Sequence, residues 1–181
     1  MPSDSWNTLG TEAELRRIES RASRMPGADG GRGSLSGKGR EVADTKEVAR
    51  KKILIIDDEE DLCVLAAHAL TLERSDLEVI SAKDGPSGIQ RVQTDRPSVI
   101  ILDVMMPKMD GFEVCRLLKA DPKTRNIPVI MLTASSDPHL NQKAFEAGAA
   151  ACLTKPYRKV TLVNCVDMAL AGLQRSRERS A

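Results

Sequence analysis

Aromatic residues are scarce in this chain of 181 residues, where they make up 2% of the sequence. They are Trp6, Phe112, Phe145 and Tyr157. A hydrophobic core must therefore be built from aliphatic side chains. Binding of single-stranded nucleic acid by base stacking is excluded as a main activity, because such binding uses aromatic platforms.

Paired cysteines are also lacking. The four cysteines are far apart in the sequence, at Cys63, Cys115, Cys152 and Cys165. No two of them have the C-x-x-C spacing of a zinc site, and nothing indicates the secretory context that favours a disulfide framework. We therefore expect them to act as small apolar packing residues.

Neither an excess of charge nor a long apolar run is present. Lys and Arg total 27 against 26 for Asp and Glu, a net charge of +1, which argues against a broad basic surface for nucleic acid or anionic lipid. No run approaches the roughly 18 apolar residues that can span a bilayer. The first 25 residues lack the apolar core of a secretory signal. These features predict a cytoplasmic protein without membrane or nucleic-acid partners.

The first fifty residues differ in composition from the rest of the chain. They hold seven of the twelve glycines, and the glycine-rich stretch at 26–39 is typical of a flexible linker. A capping-box pattern at 11–14 favours a short helix over 11–24. That helix is either a frayed, solvated segment or one that orders on a partner. We predict a flexible N-terminal extension over 1–50.

From residue 51 onward, short aliphatic runs alternate with helical patterns. The runs have the length of strands and lie at 53–56, 77–80, 99–102, 127–132 and 150–153. The first apolar helical stripe comprises Leu62, Leu65, Ala66, Ala69 and Leu72, and the last runs from Leu162 to Leu173. This alternation predicts an α/β domain over 51–174, with five parallel strands in an open sheet and helices on both faces.

Functional side chains follow the ends of the predicted strands. Because ligands bind at the carboxyl ends of strands in such sheets, we expect Asp57, Asp58 and Asp103 to converge there, with Thr133 and Lys155 beside them. Two carboxylates about 5 Å apart repel each other by roughly 3 kcal/mol at an effective dielectric constant near 20. Mg²⁺ would relieve this repulsion. Together with a lysine and a hydroxyl group, it could hold a phosphoryl group in transfer to a carboxylate nucleophile, for which Asp103 is the candidate.

Four motifs in fixed order resemble the receiver domains of two-component response regulators. They are ILIIDDEE at 53–60, VIILDVMMPKMDG at 99–111, VIMLTA at 129–134 and LTKP at 153–156. The resemblance implies a flavodoxin-like (βα)5 fold with an open parallel sheet and strand order 2-1-3-4-5. It covers the whole of the predicted α/β domain.

The resemblance also implies roles for the residues of the acidic cluster. Asp103 would accept a phosphoryl group from a histidine kinase or a histidine phosphotransfer protein. Asp58, Asp103 and the backbone carbonyl of Met105 would ligate Mg²⁺, and Asp57 would act through water. Thr133 and Lys155 would bind the phosphoryl oxygens, with a cis peptide bond after the lysine.

Two local features qualify these expectations. The position at which receiver domains usually carry a switch aromatic holds Cys152 here, and a thiol is too small to move between two pockets as a ring does. The Asp110-Gly111 pair predicts a turn that uses the permissive φ of glycine, followed by a helix that starts at Phe112.

Beyond the predicted domain, residues 175–181 have the composition of a short polar tail. We therefore expect a stand-alone receiver that regulates a protein partner on phosphorylation and is not a conventional enzyme. One alternative is a receiver fold that serves as a docking module without phosphorylation. Another is a Mg²⁺-dependent phosphatase, but such enzymes normally need a second acid where Met105 stands.

Overall fold

The computed structural model describes residues 50–178, which form a five-stranded parallel sheet connected by helices. The short helix predicted at 11–24 and the linker at 26–39 lie outside the described residues. The elements alternate along the chain as β1 (Lys51–Ile56), α1 (Glu60–Glu73), β2 (Leu77–Ala82), α2 (Gly85–Asp95), β3 (Val99–Asp103), α3 (Gly111–Ala120), β4 (Val129–Thr133), α4 (Pro138–Glu146), β5 (Ala151–Thr154) and α5 (Lys159–Glu178).

The sheet has the strand order β2-β1-β3-β4-β5, which confirms the predicted order. All pairings are parallel. Ile53 of β1 lies opposite Val79 of β2 and Val99 of β3, and Asp103 of β3 lies opposite Leu132 of β4. Every residue of β3 and of β4 is buried, as expected for central strands that are covered on both faces. The carboxyl ends of β1, β3, β4 and β5 therefore lie side by side at one edge of the sheet.

Two hydrophobic clusters cover the two faces of the sheet. Leu54 and Ile56 of β1 point into one cluster, which contains residues of α2, α3 and α4. Ile53 and Ile55 point into the other, with residues of α1 and α5. The strands thus present successive side chains to opposite faces, and the aliphatic core compensates for the scarcity of aromatic residues.

Three helices begin at aspartate caps. The carboxylates of Asp84, Asp110 and Asp137 accept hydrogen bonds from backbone N–H groups in the first turns of α2, α3 and α4. Such caps satisfy donors that would otherwise have no partner inside the helix. They fix the points at which the chain turns from each strand end into the next helix.

The face that α1 buries differs from the prediction. Its buried residues are Cys63, Ala66 and Leu70, whereas Leu65 and Leu72 are exposed. The predicted stripe was therefore wrong at Leu65 and Leu72, whereas Ala66 is buried and Leu62 and Ala69 are half-buried. Small side chains at 63 and 66 pack α1 against the sheet and α5, so the larger leucines lie outside.

The last helix extends further than the apolar pattern indicates. α5 buries Leu162, Val166 and Leu170, in agreement with the predicted stripe, but continues to Glu178. It thus includes the first residues of the segment predicted as a tail, and 179–181 lie outside the described residues. Within 50–178, none of the helices combines the length and hydrophobicity that crossing a bilayer requires.

Candidate functional site

Three carboxylates meet at the carboxyl edge of the sheet, as the sequence predicts. Asp57 follows β1 directly, Asp58 comes next, and Asp103 is the last residue of β3. One oxygen from each lies within 4.8 Å of the others. Asp57 and Asp103 are buried, whereas Asp58 is exposed. This arrangement concentrates negative charge in a partly desolvated site, which favours the binding of a cation.

Lys155 bridges the two buried carboxylates. Its Nζ lies 2.6 Å from Oδ1 of Asp103 and 2.8 Å from Oδ2 of Asp57. The backbone N–H of Lys155 donates to the carbonyl of Thr133 at 2.7 Å, and the peptide bond to Pro156 is cis, as the family resemblance implies. The end of β5 thus brings an ammonium group between β1 and β3.

Burial and ion pairing have opposite effects on the charges of this site. Burial raises the pKa of Asp103, although the hydrogen bond and the charge of Lys155 act in the other direction. Burial lowers the pKa of Lys155, but its interactions with Asp103 and Asp57 outweigh that effect and raise it. Lys155 is therefore charged at neutral pH, and one ammonium group faces three carboxyl groups.

The loop after β3 fixes the Asp103 carboxylate. Its Oδ2 accepts a hydrogen bond of 2.7 Å from the backbone N–H of Met105, while the Met105 side chain is exposed. With Lys155 on Oδ1, both carboxylate oxygens of Asp103 have a donor. The candidate nucleophile is thus held in one orientation before any ligand arrives.

Gly111 closes this loop for a reason other than the predicted one. The positive φ of the loop belongs to Lys108, at 73°, and not to Gly111, so the expectation of a permissive glycine φ was wrong. A Cβ on Gly111 would lie 2.2 Å from the carbonyl oxygen of Asp103. Glycine is therefore needed because α3 begins in direct contact with the backbone of Asp103. The helix also begins at Gly111 itself, one residue before the predicted start.

Thr133 lies at the neighbouring strand end, and its hydroxyl group is engaged locally. It is buried, accepts a hydrogen bond of 3.2 Å from the backbone N–H of Ser135 and contacts the Ser135 carbonyl at 3.3 Å. The structure therefore brings together Asp57, Asp58, Asp103 and Lys155. It places Thr133 at the same edge, as the last residue of β4.

Sequence reasoning missed a fourth acidic neighbour. It is Glu59, whose Oε1 lies 3.9 Å from Nζ of Lys155. Its backbone N–H also donates to Oδ1 of Asp57 at 2.9 Å. The available signal was its position directly after the aspartate pair, where the chain turns back over the site.

Two cysteines lie on elements that lead to or from this region. Cys63 of α1 has its Sγ 3.6 Å from the carbonyl oxygen of Asp57, and burial, aided by the Asp57 charge, raises its pKa to about 11. Cys152 of β5 is half-buried and packs against the cluster that contains α3 and α4. Both remain thiols at neutral pH, as expected for packing residues.

The donor set fits Mg²⁺. Carboxylate oxygens are the hard ligands that this ion prefers, and few protein ligands suffice because it keeps several waters. Asp58 is exposed, while both oxygens of Asp57 are engaged, one by Lys155 and the other by the Glu59 N–H. Both oxygens of Asp103 also have donors, from Lys155 and the Met105 N–H, so Asp58 is the most accessible of the three carboxylates to an arriving ion.

Comparisons with known proteins agree with this geometry. The family model for the response regulator receiver domain matches residues 53–167. The chain is 46% identical over 111 residues to response regulator PleD of Caulobacter vibrioides, covering 61% of this chain and 24% of that protein. It is 41% identical over 107 residues to the alkaline phosphatase synthesis transcriptional regulatory protein PhoP of Bacillus subtilis, covering 59% and 43%, respectively. It thus spans less than half the length of either relative.

A solved structure shows the same similarity in three dimensions. The signal receiver domain of a signal transduction histidine kinase from Syntrophus aciditrophicus superposes with a TM-score of 0.63 at 37% identity. The match covers 69% of this chain and 93% of that one.

Proposed function

Because this chain belongs to the response regulator receiver domain family, and so to phosphorylation-gated signalling proteins, we propose that Asp103 is the residue that accepts the phosphoryl group. The observation that carries the proposal is the Lys155 bridge, with Nζ 2.6 Å from Asp103 and 2.8 Å from Asp57. Asp103 is also buried, and its other oxygen accepts a hydrogen bond from the Met105 N–H. A fixed carboxylate beside an ammonium group supports a role in phosphoryl transfer.

The transfer exchanges one bond for another at phosphorus. A carboxylate oxygen of Asp103 forms a bond to phosphorus while the bond from phosphorus to the imidazole nitrogen of the donor breaks. The electron pair leaves with that nitrogen. Lys155 then donates to the acyl phosphate, and the Thr133 hydroxyl turns from the Ser135 carbonyl to a phosphoryl oxygen.

Mg²⁺ would be held by Asp58, Asp103 and the backbone carbonyl of Met105, with Asp57 acting through water. Bound there, it would offset the negative charge of the phosphoryl oxygens. The residues of the chain supply the rest of the arrangement. The Met105 N–H and Lys155 orient the nucleophile, and burial beneath the loop after β3 limits the access of water to it.

The donor in this proposal is a histidine kinase or a histidine phosphotransfer protein, and the output is contact with a protein target. The half-buried Cys152 replaces the usual switch aromatic, so we expect a smaller conformational response along β5 than in relatives with a ring there. The name of PhoP describes a transcriptional regulator, whereas direct nucleic-acid binding is not part of our proposal for this chain. A cytoplasmic location likewise stays a prediction.

Intact-protein mass spectrometry tests the acceptor. The full chain is incubated with phosphoramidate, a small phosphodonor, with Mg²⁺ or with EDTA. We expect the mass of one phosphoryl group to be added in the presence of Mg²⁺ and to be lost on treatment with hydroxylamine, which cleaves acyl phosphates. Asp103→Asn should abolish the labelling.

Asp110→Asn is the matched control. It changes an aspartate close in sequence to Asp103, and asparagine is an equally good helix cap, so labelling should continue as in the wild type. Labelling that persists in Asp103→Asn, or labelling that EDTA does not affect, would contradict the proposal.

A further inference from the structure

A cavity of about 420 Å³ lies beside the acidic cluster, on the side of β1 away from Asp103. It opens between the ends of β1 and β2, because β1 leads into α1 on one face of the sheet whereas β2 leads into α2 on the other. Ligands of such folds bind in crevices of this kind, at the carboxyl ends of the strands. The volume is also within the range of small-molecule sites.

The two sides of this cavity carry opposite charges. On the α1 side it is lined by Asp58 and Glu60, which we call the acidic wall. On the α2 side it is lined by Lys83, which follows β2, and by Arg91 of α2, which we call the basic wall. The cavity therefore offers two negative and two positive groups to one space.

The charged groups of the two walls do not pair with each other. All four side chains are exposed, and none of them belongs to the ion pairs found within residues 50–178. Asp57 also lines the cavity, but its oxygens are engaged by Lys155 and by the Glu59 N–H. The opposite charges thus stand too far apart for direct contact, and each can turn toward a ligand between them.

This distribution of charge selects the chemistry of the ligand. An anion would be repelled by the acidic wall and a cation by the basic wall, whereas a zwitterion places each of its charges beside the opposite one. Cys63 and Ala82, which are buried, add apolar surface to the lining. They suit a short hydrocarbon chain that joins the two charges of the ligand.

We propose that this cavity binds a small zwitterion, an amino acid whose ammonium group faces the acidic wall and whose carboxylate faces the basic wall. The planar guanidinium group of Arg91 matches a carboxylate, which it can hold by two parallel hydrogen bonds. Binding here needs neither the acceptor Asp103 nor a transferred phosphoryl group. The site therefore gives the domain an input from a small molecule, in addition to phosphorylation.

NMR titration of the full chain in EDTA tests the site. The probes are glycine, 4-aminobutanoate and 6-aminohexanoate, in which the ammonium and carboxylate groups lie progressively further apart. We expect saturable shifts of the backbone amide signals of Glu60 and Ser87. Amines and carboxylates of the same chain length carry one charge each and should bind at least fivefold more weakly, a ratio equivalent to about 1 kcal/mol. Because EDTA removes Mg²⁺, failure here is distinguishable from failure of the proposed phosphorylation.

Glu60→Gln and Arg91→Gln each remove one charge from a wall. Each should weaken binding of the tightest probe by roughly threefold, as expected for the loss of an exposed ion pair. Glu113→Gln and Arg116→Gln are the matched controls, because they remove the same charges from exposed positions on α3 and should leave the affinity unchanged. The proposal would be overturned if no probe gives saturable shifts, if singly charged analogues bind as tightly, or if the wall variants behave like the controls.

Discussion

Lys155 and Lys119 are both half-buried, but they lie at opposite edges of the sheet and differ in what surrounds the ammonium group. Lys155 contacts two carboxylates, and its pKa is raised. Lys119 contacts two backbone carbonyls, and its pKa is lowered by burial. Burial alone therefore does not determine the charge of a lysine in this fold. The partners of the amine decide in which direction its pKa moves.

Among the variants that test this comparison, Lys155→Met should have the largest effect on stability. It leaves Asp57 and Asp103 buried without their cation, which should lower the free energy of unfolding by about 3–5 kcal/mol. Because Mg²⁺ can replace part of the lost charge, the loss should be smaller with Mg²⁺ than with EDTA. Urea denaturation under both conditions measures it.

The double variant Lys155→Met/Asp103→Asn is the control. Removing one of the unpaired carboxylates should restore part of the lost stability. Equal losses in the single and double variants would contradict the view that unpaired charge causes the effect.

A second comparison uses two glycines. Gly111 contacts the backbone of Asp103, the partner of Lys155, and Gly148 contacts the stem of Lys119. Gly111→Ala places a Cβ 2.2 Å from a backbone oxygen, that of Asp103, and should destabilise the protein by about 3 kcal/mol. Gly148→Ala meets the flexible stem of Lys119 at a φ of 95°, and should cost roughly 1–2 kcal/mol. Thermal unfolding of both variants measures this order. A larger loss for Gly148→Ala would contradict it.

Lys119→Met should have a smaller effect than Lys155→Met. The substitution removes donors from two carbonyls but leaves no unpaired charge, so we expect a loss of about 1–2 kcal/mol. Mg²⁺ should not change this loss, because the acidic cluster lies at the other edge of the sheet. The same urea denaturation measures both variants, and dependence of the loss on Mg²⁺ would show that the two edges are coupled.

The smallest expected effect is on the pH dependence of the free energy of unfolding. At alkaline pH, the contributions of the two lysines should change in opposite directions. Lys119 has a folded-state pKa below the ordinary value of about 10.4, so the unfolded chain binds more protons between these two values. The stability of the wild type relative to Lys119→Met should therefore rise with pH across that window. Lys155 has a raised pKa, so its contribution should be complete below about 10.4 and decline as pH rises through the folded-state value.

Unfolding free energies between about pH 8 and pH 11, spanning the ordinary lysine pKa, measure both differences. Slopes of the same sign for the two lysines would contradict their assigned environments.

The strand pattern was sufficient to predict the sheet and the meeting of Asp57, Asp58 and Asp103 at one edge of it. Aliphatic runs that end in Asp57 and Asp103 fix both the strands and the edge at which the carboxylates meet, because parallel strands end on the same side. The contact between Lys155 and Asp57, 98 residues apart, depends on strand order. The pattern alone left that order open, whereas the family resemblance supplied it.

Other features could not be predicted because the sequence does not specify packing distances. Leu65 and Leu72 fit a helical stripe as well as the buried Cys63 and Leu70 do, and the close approach of α1 to the sheet decides between them. A glycine at position 111 indicates either a positive φ or a close backbone contact, and only the folded structure distinguishes the two. Lys119 gave no signal, since its partners are backbone carbonyls that every residue possesses.

The missing side chain at Gly111 has a mechanical consequence. The first turn of α3 rests on the peptide of Asp103 without an intervening atom layer, and the Gly111 N–H donates to the Val104 carbonyl at 3.0 Å. A shift of the Asp103 peptide would therefore move the first turn of α3 directly. A change of charge at the Asp103 carboxylate that moves this peptide would change the tilt of the whole ten-residue helix.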